Sequence, residues 1–198
     1  MINNKEYDGS LFVSGIVKNK DNYLFLIKKS EIFQRDEDGL LRLPFGTIER
    51  RVLNGETAEN TLKRGVREEI GAEIQIVDSE TSHLIYNNQV NEMSMNAKTN
   101  KPLFVYKKEK TDKNKRNFDY IYSFLTDICQ FDEIKPLNSN AVVLMNRNLL
   151  KKANKGKLSV KELKLRGGKI ISDMKFPDDA LLYPTSTSKG LYLCGKCH

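Results

Sequence analysis

The chain has 198 residues, 39% of them apolar and 30% charged, with 33 lysines and arginines against 26 aspartates and glutamates. That length fits one domain with a sizeable core, and the composition excludes a disordered or low-complexity class. No run approaches the roughly 20 apolar residues of a membrane-spanning helix. The opening MINNKEYDGS lacks the basic-then-apolar order of an export signal, and three cysteines make no even disulfide framework. These features predict a soluble, cytoplasmic protein without a membrane partner. The net charge of +7 favours phosphate-bearing partners and does not choose between nucleotide and nucleic acid.

The first third reads as strands. Residues 11–17 (LFVSGIV) are β-branched and aromatic, 19–22 (NKDN) carry turn chemistry, and 23–27 (YLFLI) return, which predicts a hairpin. A charged loop over 28–39 leads to 40–43 (LLRL) and then to Pro44, Phe45 and Gly46. Over 58–70 the period changes: Ala58, Leu62, Val66 and Ile70 recur every fourth residue, laying one apolar stripe along a helix. Thr57 suits its N-cap, and Gly71 suits the left-handed residue that closes it. Strands are predicted at 74–77, 84–86, 103–106 and 120–125. Residues 141–145 (AVVLM) fit either a short buried strand or the first turn of a helix. Ser159 and Glu162 have capping-box spacing, and Gly167 with Gly168 would close that short helix. Signals beyond Asp173 are weak, so 174–198 reads as an uncertain tail. Strands interleaved with two or three helices predict an α/β protein, a mixed sheet flanked by helices, in a single domain over 1–198.

The chemistry concentrates in 43–72, LPFGTIERRVLNGETAENTLKRGVREEIGA, a strand end, a glycine turn, a charged loop and a helix. Gly65, Glu68 and Glu69 are three and four positions apart and share one helix face beside the apolar stripe. Two adjacent carboxylates in the carboxy-terminal half of a helix repel each other and oppose its dipole. A divalent cation relieves both penalties, and Mg²⁺ is commonly held by one or two carboxylates plus substrate phosphates.

This segment resembles the Nudix box, G-x5-E-x7-R-E-U-x-E-E-x-G-U, with U a bulky apolar residue. Gly46 falls on its first Gly, and Glu56, Arg64, Val66, Glu68, Glu69 and Gly71 fall on its first Glu, Arg, U, paired Glu and second Gly. There are three departures. Nine residues, rather than five, separate Gly46 from Glu56, a four-residue insertion. Phe45 replaces a small residue whose backbone carbonyl often helps hold metal in the family. Gly65 stands where the family has the Glu of its Arg-Glu pair.

The resemblance implies a Nudix-like α/β/α sandwich with a mixed β-sheet. It implies a Mg²⁺- or Mn²⁺-dependent hydrolase that cuts the diphosphate bond of a nucleoside diphosphate linked to another group. In that reading Glu68 and Glu69 hold metal, and Glu49 is an auxiliary ligand or base, with Asp132 and Glu133 as alternatives. Arg64 and Glu56 form an ion pair bracing loop against helix, and Gly46 and Gly71 are structural. A nucleotide-derived small molecule is the implied partner, and a homodimer is a further expectation. Because all three departures fall where the chemistry belongs, a second reading stands beside it. The chain would then be a catalytically weakened Nudix domain acting as a nucleotide-binding sensor, regulator or interaction module.

Cys194, Cys197 and His198 match the C-x-x-C-H haem-attachment pattern, which requires export, and could instead supply zinc ligands. No second cysteine pair exists to complete such a site, and a frayed terminus is the simpler expectation. Two basic clusters remain, Lys107, Lys108, Lys110, Lys113, Lys115 and Arg116, then nine basic residues against the single acid Glu162 over 147–169. Each reads as solvated surface or as a phosphate-attracting rim. RNA is a partner the resemblance allows, but no aromatic-rich RNA-binding signature favours it.

Overall fold

The hairpin at the start of the chain forms and then splits. In the computed structural model, which describes residues 11–28, 35, 37–95, 100–109, 118–128 and 131–195 (Asp132 by its backbone alone), β1 is Leu11–Asn19 and β2 is Asn22–Lys28. Only Val17–Asn19 pair with Leu24–Asn22. Before that point β1 leaves β2 and takes β4 (Ile48–Arg51), while β2 takes β3 (Arg42–Gly46), Leu26 opposite Gly46. Lys20 holds φ 52 in the turn, the left-handed conformation that a two-residue hairpin loop demands.

The remaining elements follow as α1 (Ala58–Ile70), β5 (Ile74–Val77), β6 (Ser82–Tyr86), β7 (Gln89–Met93), β8 (Phe104–Glu109) and β9 (Phe118–Ile128). After a short 3-10 turn at Phe131–Glu133 come β10 (Ser139–Asn146), α2 (Arg147–Asn154), β11 (Leu158–Ser159) and α3 (Val160–Leu165). The chain continues through β12 (Lys169–Ile171) and β13 (Leu181–Pro184) to α4 (Ser186–Leu193). The strands join in one mixed sheet running β11-β13-β3-β2-β1-β9-β8-β6-β7, with β10 on β2, β12 on β10, β4 on β1 and β5 on β9. Pairs β1–β9, β13–β3 and β6–β8 are parallel.

Strand alternation sends β1 residues to opposite faces, and each face has its own core. Val13 and Val17 lie with Leu62, Val66 and Ile70 of α1. Ile16 lies with Leu149, Leu150, Val160, Leu163 and Leu191 of α2, α3 and α4. Helices therefore cover both faces, which is the α/β/α arrangement. The three α1 residues are fully buried, each contributing about 1.5–3 kcal/mol relative to exposure. Gly15 lets α1 approach closely, since a Cβ there would stand 3.0 Å from Leu62 Cδ1.

The expected α1 bounds hold, and 141–145 proves to be strand, extended to Ser139–Asn146. Asn146 then caps α2, its side chain accepting from Leu149 N at 3.0 Å. The stretch read as an uncertain tail, 174–198, is structured as far as it is described. β13 lies parallel to β3, pairing Leu181 with Arg42 through Pro184 with Phe45, and α4 buries Thr187, Ser188, Gly190 and Leu191. Cys194 is buried in the same core, whereas Cys197 and His198 fall outside the described residues. No described helix is long and apolar enough to cross a membrane.

Candidate functional site

Thr57 starts α1 by accepting from Asn60 N at 3.1 Å, and Gly71 closes it at φ 69, its N–H reaching Arg67 O at 3.0 Å. Glu56, just before the cap, receives Arg64 through two bonds of 2.9 Å, Nε to Oε1 and Nη2 to Oε2. This fork-to-fork geometry is the strong form of an Arg–carboxylate pair. Thr61 Oγ1 adds a bond at 2.9 Å and Leu53 N one at 3.4 Å. The Arg64 bonds lead in holding the Glu56 carboxyl down at about 2, and Glu56 in turn raises the Arg64 guanidinium.

Arg50 is the unexpected member. From β4 it pairs with Val13 of β1, and its side chain crosses onto α1, its Nη2 2.6 Å from Glu69 Oε1 and its Nε 3.3 Å from Glu68 Oε2. Arg64 Nη1 reaches the other Glu68 oxygen at 3.3 Å. The charges thus alternate without a break: Glu56, Arg64, Glu68, Arg50, Glu69. Burial pushes the Glu68 carboxyl up, but the bonds from Arg64 and Arg50 outweigh it and hold it below its ordinary value. Glu69 is 6% exposed, and its Oε2 has no hydrogen-bond partner among the described residues.

Gly65 makes this possible. A Cβ at Gly65 would lie 2.6 Å from Arg50 Cγ, so any longer side chain competes with the Arg50 stem for the same volume. The absence of a side chain at position 65 and the guanidinium of Arg50 are two halves of one arrangement.

Glu49 is not brought to the pair. Successive strand residues face opposite ways, so Glu49 points away from Arg50, and the charges acting on it are those of Lys28, Lys108 and Asp119. Burial dominates there and raises its carboxyl. The loop holding Asp132 and Glu133 does return to α1, but through other groups. Lys135 N reaches Ile70 O at 3.3 Å, Leu137 N reaches Glu69 O at 2.8 Å, and Asn138 Nδ2 reaches Glu68 O at 2.8 Å. These satisfy carbonyls that a helix end leaves without partners. Glu133 is exposed, and the Asp132 side chain lies outside the described residues.

The Phe45 carbonyl is also taken. It accepts from Thr185 N at 2.8 Å and Ser188 Oγ at 3.0 Å. Gly46 admits this close approach, since a Cβ there would stand 2.7 Å from Thr185 Oγ1. The Phe45 ring packs edge-on against Phe25, 5.0 Å between centroids.

These residues do not fit a divalent cation while Arg50 is in place. Among the described residues no group of three or more His, Cys, Asp or Glu side chains is placed to hold a metal ion. A dication about 4 Å from the guanidinium would meet roughly 8 kcal/mol of repulsion at an effective dielectric near 20. The neutralising charge that the paired carboxylates require comes from the chain itself.

Elsewhere, a cavity of about 450 Å³ opens between the first hairpin turn, the ends of β5 and β9, and α4. Lys18, Tyr23, Asp78, Leu125, Asp127 and Leu191 are among its walls, and no residue of 43–72 is. Lys107 sits over the Phe118 ring at 3.9 Å and the Tyr86 ring at 5.0 Å, while Lys110, Lys113, Lys115 and Arg116 lie outside the described residues. In the second basic cluster Lys152 and Arg166 both pair with Glu162, tying α2 to α3.

No protein-family model matches the chain, and no curated protein sequence matches it. Solved structures of similar fold do exist. One is a Nudix hydrolase from Nitrosomonas europaea, 13% identical over 71% of this chain, with TM-score 0.44; the chain spans 58% of that protein's length. A second is the ORF135 protein of E. coli, 12% identical over 74% of this chain and 81% of that one, with TM-score 0.48. A third is a Nudix-family hydrolase from Clostridium perfringens, 15% identical over 72% of this chain and 85% of that one, with TM-score 0.46.

Proposed function

We propose that this chain is a Nudix-type domain that binds a nucleotide-derived diphosphate compound and does not hydrolyse it with metal. It would act as a sensor or regulator. One observation carries the reading: the Arg50 guanidinium is bonded to both Glu68 and Glu69, the carboxylates that metal-assisted hydrolysis would need. Arg64 and Glu56 keep the loop on the helix, so the box retains its shape without its metal chemistry. The ligand class rests on the box resemblance and is consistent with the net charge of +7.

The hydrolase reading keeps one specific support, the buried Glu69 Oε2, an acceptor that a cation could use if Arg50 swung aside. In that case Glu68 and Glu69 would be the ligands of Mg²⁺ or Mn²⁺, which would polarise the attacking water. One experiment separates the two readings. The protein is incubated with dinucleotides, nucleotide sugars and nucleoside triphosphates plus Mn²⁺, and both product and melting temperature are followed. A melting shift with intact ligand supports binding, since a ligand selective for the native state raises its stability. Turnover above that of a Glu68→Gln/Glu69→Gln variant overturns it and establishes the hydrolase.

A further inference from the structure

We propose that Arg50 is a tethered cation standing in for a divalent metal at Glu68 and Glu69, so that the site is a latent divalent-cation site which Arg50 keeps closed. The inference rests on the reading of α1 as a Nudix-type box, and it concerns what governs cation access there. Three observations converge. Arg50 donates to one oxygen of each carboxylate, at 2.6 Å to Glu69 and 3.3 Å to Glu68. Its stem fills the volume beside Gly65, where a Cβ would be 2.6 Å from Cγ. Glu69 Oε2, in a side chain more than nine-tenths buried, is left without a hydrogen-bond partner.

A guanidinium has a fixed fork of donors and satisfies the carboxylate oxygens it faces, which Glu69 Oε2 is not. A hard cation such as Mg²⁺ takes oxygen ligands in a compact shell, completed by water, and would engage that oxygen as well. The two occupants are mutually exclusive by charge and by space. Removing the Arg50 guanidinium therefore leaves Glu69 without its ion-pair partner and Glu68 with only Arg64, which Glu56 shares, an arrangement that selects a divalent cation. Gly65 decides how complete the opened site is. With Arg50 gone, a glutamate at position 65 has room on the same helix face and supplies a third carboxylate.

The test is a titration of Mn²⁺ alone, read by electron paramagnetic resonance as loss of the free-ion signal. It uses the unaltered full chain, Arg50→Met, Arg50→Ala, Arg50→Ala/Gly65→Glu (alanine lacks the Cγ that fills the space beside Gly65), Gly65→Glu, and Arg50→Met/Glu68→Gln/Glu69→Gln. Methionine keeps an apolar stem against Gly65 while removing the charge, and a cooperative thermal melt confirms folding of each variant. Arg50→Met should bind one Mn²⁺ at least about tenfold more tightly than the unaltered chain, the scale set by one nearby like charge. Arg50→Ala should show the same gain and Arg50→Ala/Gly65→Glu should bind more tightly still, the triple variant should lose the gain, and Gly65→Glu alone should show none. Equal Mn²⁺ affinity in the unaltered chain and a folded Arg50→Met overturns the proposal. A gain that survives the triple variant does the same, because the ion would then sit elsewhere. If Arg50→Met fails to fold, Arg50→Gln is titrated under the same criteria. Failure of nucleotides to bind would sink the functional reading and leave these affinities standing. Equal affinities would sink this inference even where no nucleotide is turned over.

Discussion

Gly65 and Arg50 compete for one volume: a methyl group on Gly65 would stand 2.6 Å from Arg50 Cγ, against the 3.5–4.0 Å at which carbon atoms pack. A glycine inside a helix costs about 1 kcal/mol relative to alanine. Here that cost is offset by the bonds Arg50 makes to Glu68 and Glu69. The energetic meaning of Gly65 therefore depends on what stands at position 50.

That dependence gives a double-mutant cycle. Gly65→Ala in the unaltered chain should destabilise by roughly 1–3 kcal/mol, since the Arg50 stem must move and its ion pairs loosen. In an Arg50→Ala background the same change should stabilise by up to about 1 kcal/mol, the helix-propensity gain alone. Urea unfolding of the four proteins measures it. Additivity within about 0.5 kcal/mol would mean the two residues do not compete.

Removing Arg50 alone strands the buried charge of Glu69. Breaking a buried pair from one side costs about 3–5 kcal/mol. The Arg50 side chain is 22% exposed, so a somewhat smaller loss, about 2–4 kcal/mol, is expected for Arg50→Ala. Adding Glu69→Gln should recover more than half, because the amide needs no counter-charge. If Glu69→Gln worsens the Arg50→Ala protein, the Glu69 charge is not what Arg50 serves.

The strands and the box helix were legible because their signals are local: a β-branched run, a four-residue apolar stripe, Thr57 and Gly71 at its ends. The Glu56–Arg64 pair and the adjacency of Glu68 and Glu69 were legible because they lie on one helix and the residue before its cap, whereas the bond from Arg64 to Glu68 emerges only in the structure. Arg50 was not legible, since its role arises from pairing β4 with β1, residues 48–51 against 12–15, which no local pattern encodes. Its trace in the sequence is that Gly65 and the nine residues between Gly46 and Glu56 depart together from the pattern the segment resembles. Glu49 stands apart from the pair for a related reason: neighbours in sequence face opposite ways once the segment is a strand. The C-terminal segment was undervalued because β13 has four residues and α4 packs through small ones, Thr187, Ser188 and Gly190. A Cβ at Gly190 would be 2.9 Å from the Phe104 ring, a fit that apolar periodicity cannot reveal.

Stability should respond to pH with opposite signs at two glutamates. Glu56 is held down at about 2 from an ordinary 4.5, so the unfolded chain binds its proton more readily. Its contribution is complete above pH 4.5 and is lost as the pH falls towards about 2, a loss that Glu56→Gln should abolish. Glu49 is raised by burial, so its ionised form opposes folding, and the penalty grows as pH rises above the ordinary value of 4.5. Glu49→Gln should therefore raise the urea midpoint at pH 7 and change it little at pH 4. A lowered midpoint at pH 7 would mean that attraction by Lys28 and Lys108 prevails over burial.

The C-terminal segment should behave as core. Ser14 Oγ lies 2.6 Å from Thr47 Oγ1, which donates to Thr187 Oγ1 at 2.7 Å, a buried hydroxyl chain linking β1, the β3–β4 junction and α4. Leu191 of α4 is fully buried in the core shared with Ile16 and Leu149. Leu191→Ala should cost about 2–5 kcal/mol, the range for a large aliphatic side chain removed from a packed interior. Thr187→Val should cost about 1–3 kcal/mol by leaving the Thr47 hydroxyl without its acceptor. Deleting 185–198 would remove both donors to the Phe45 carbonyl as well as Leu191, and should abolish cooperative unfolding at ordinary temperature. Native-state hydrogen exchange gives the check that needs no substitution. The amides of Thr185, Lys189 and Cys194, bonded to Phe45 O, Thr185 O and Gly190 O, should exchange as slowly as those of β3. Exchange of these three at the rate of an unstructured chain would show that the segment opens independently, and the large cost assigned to Leu191→Ala would then fail with it.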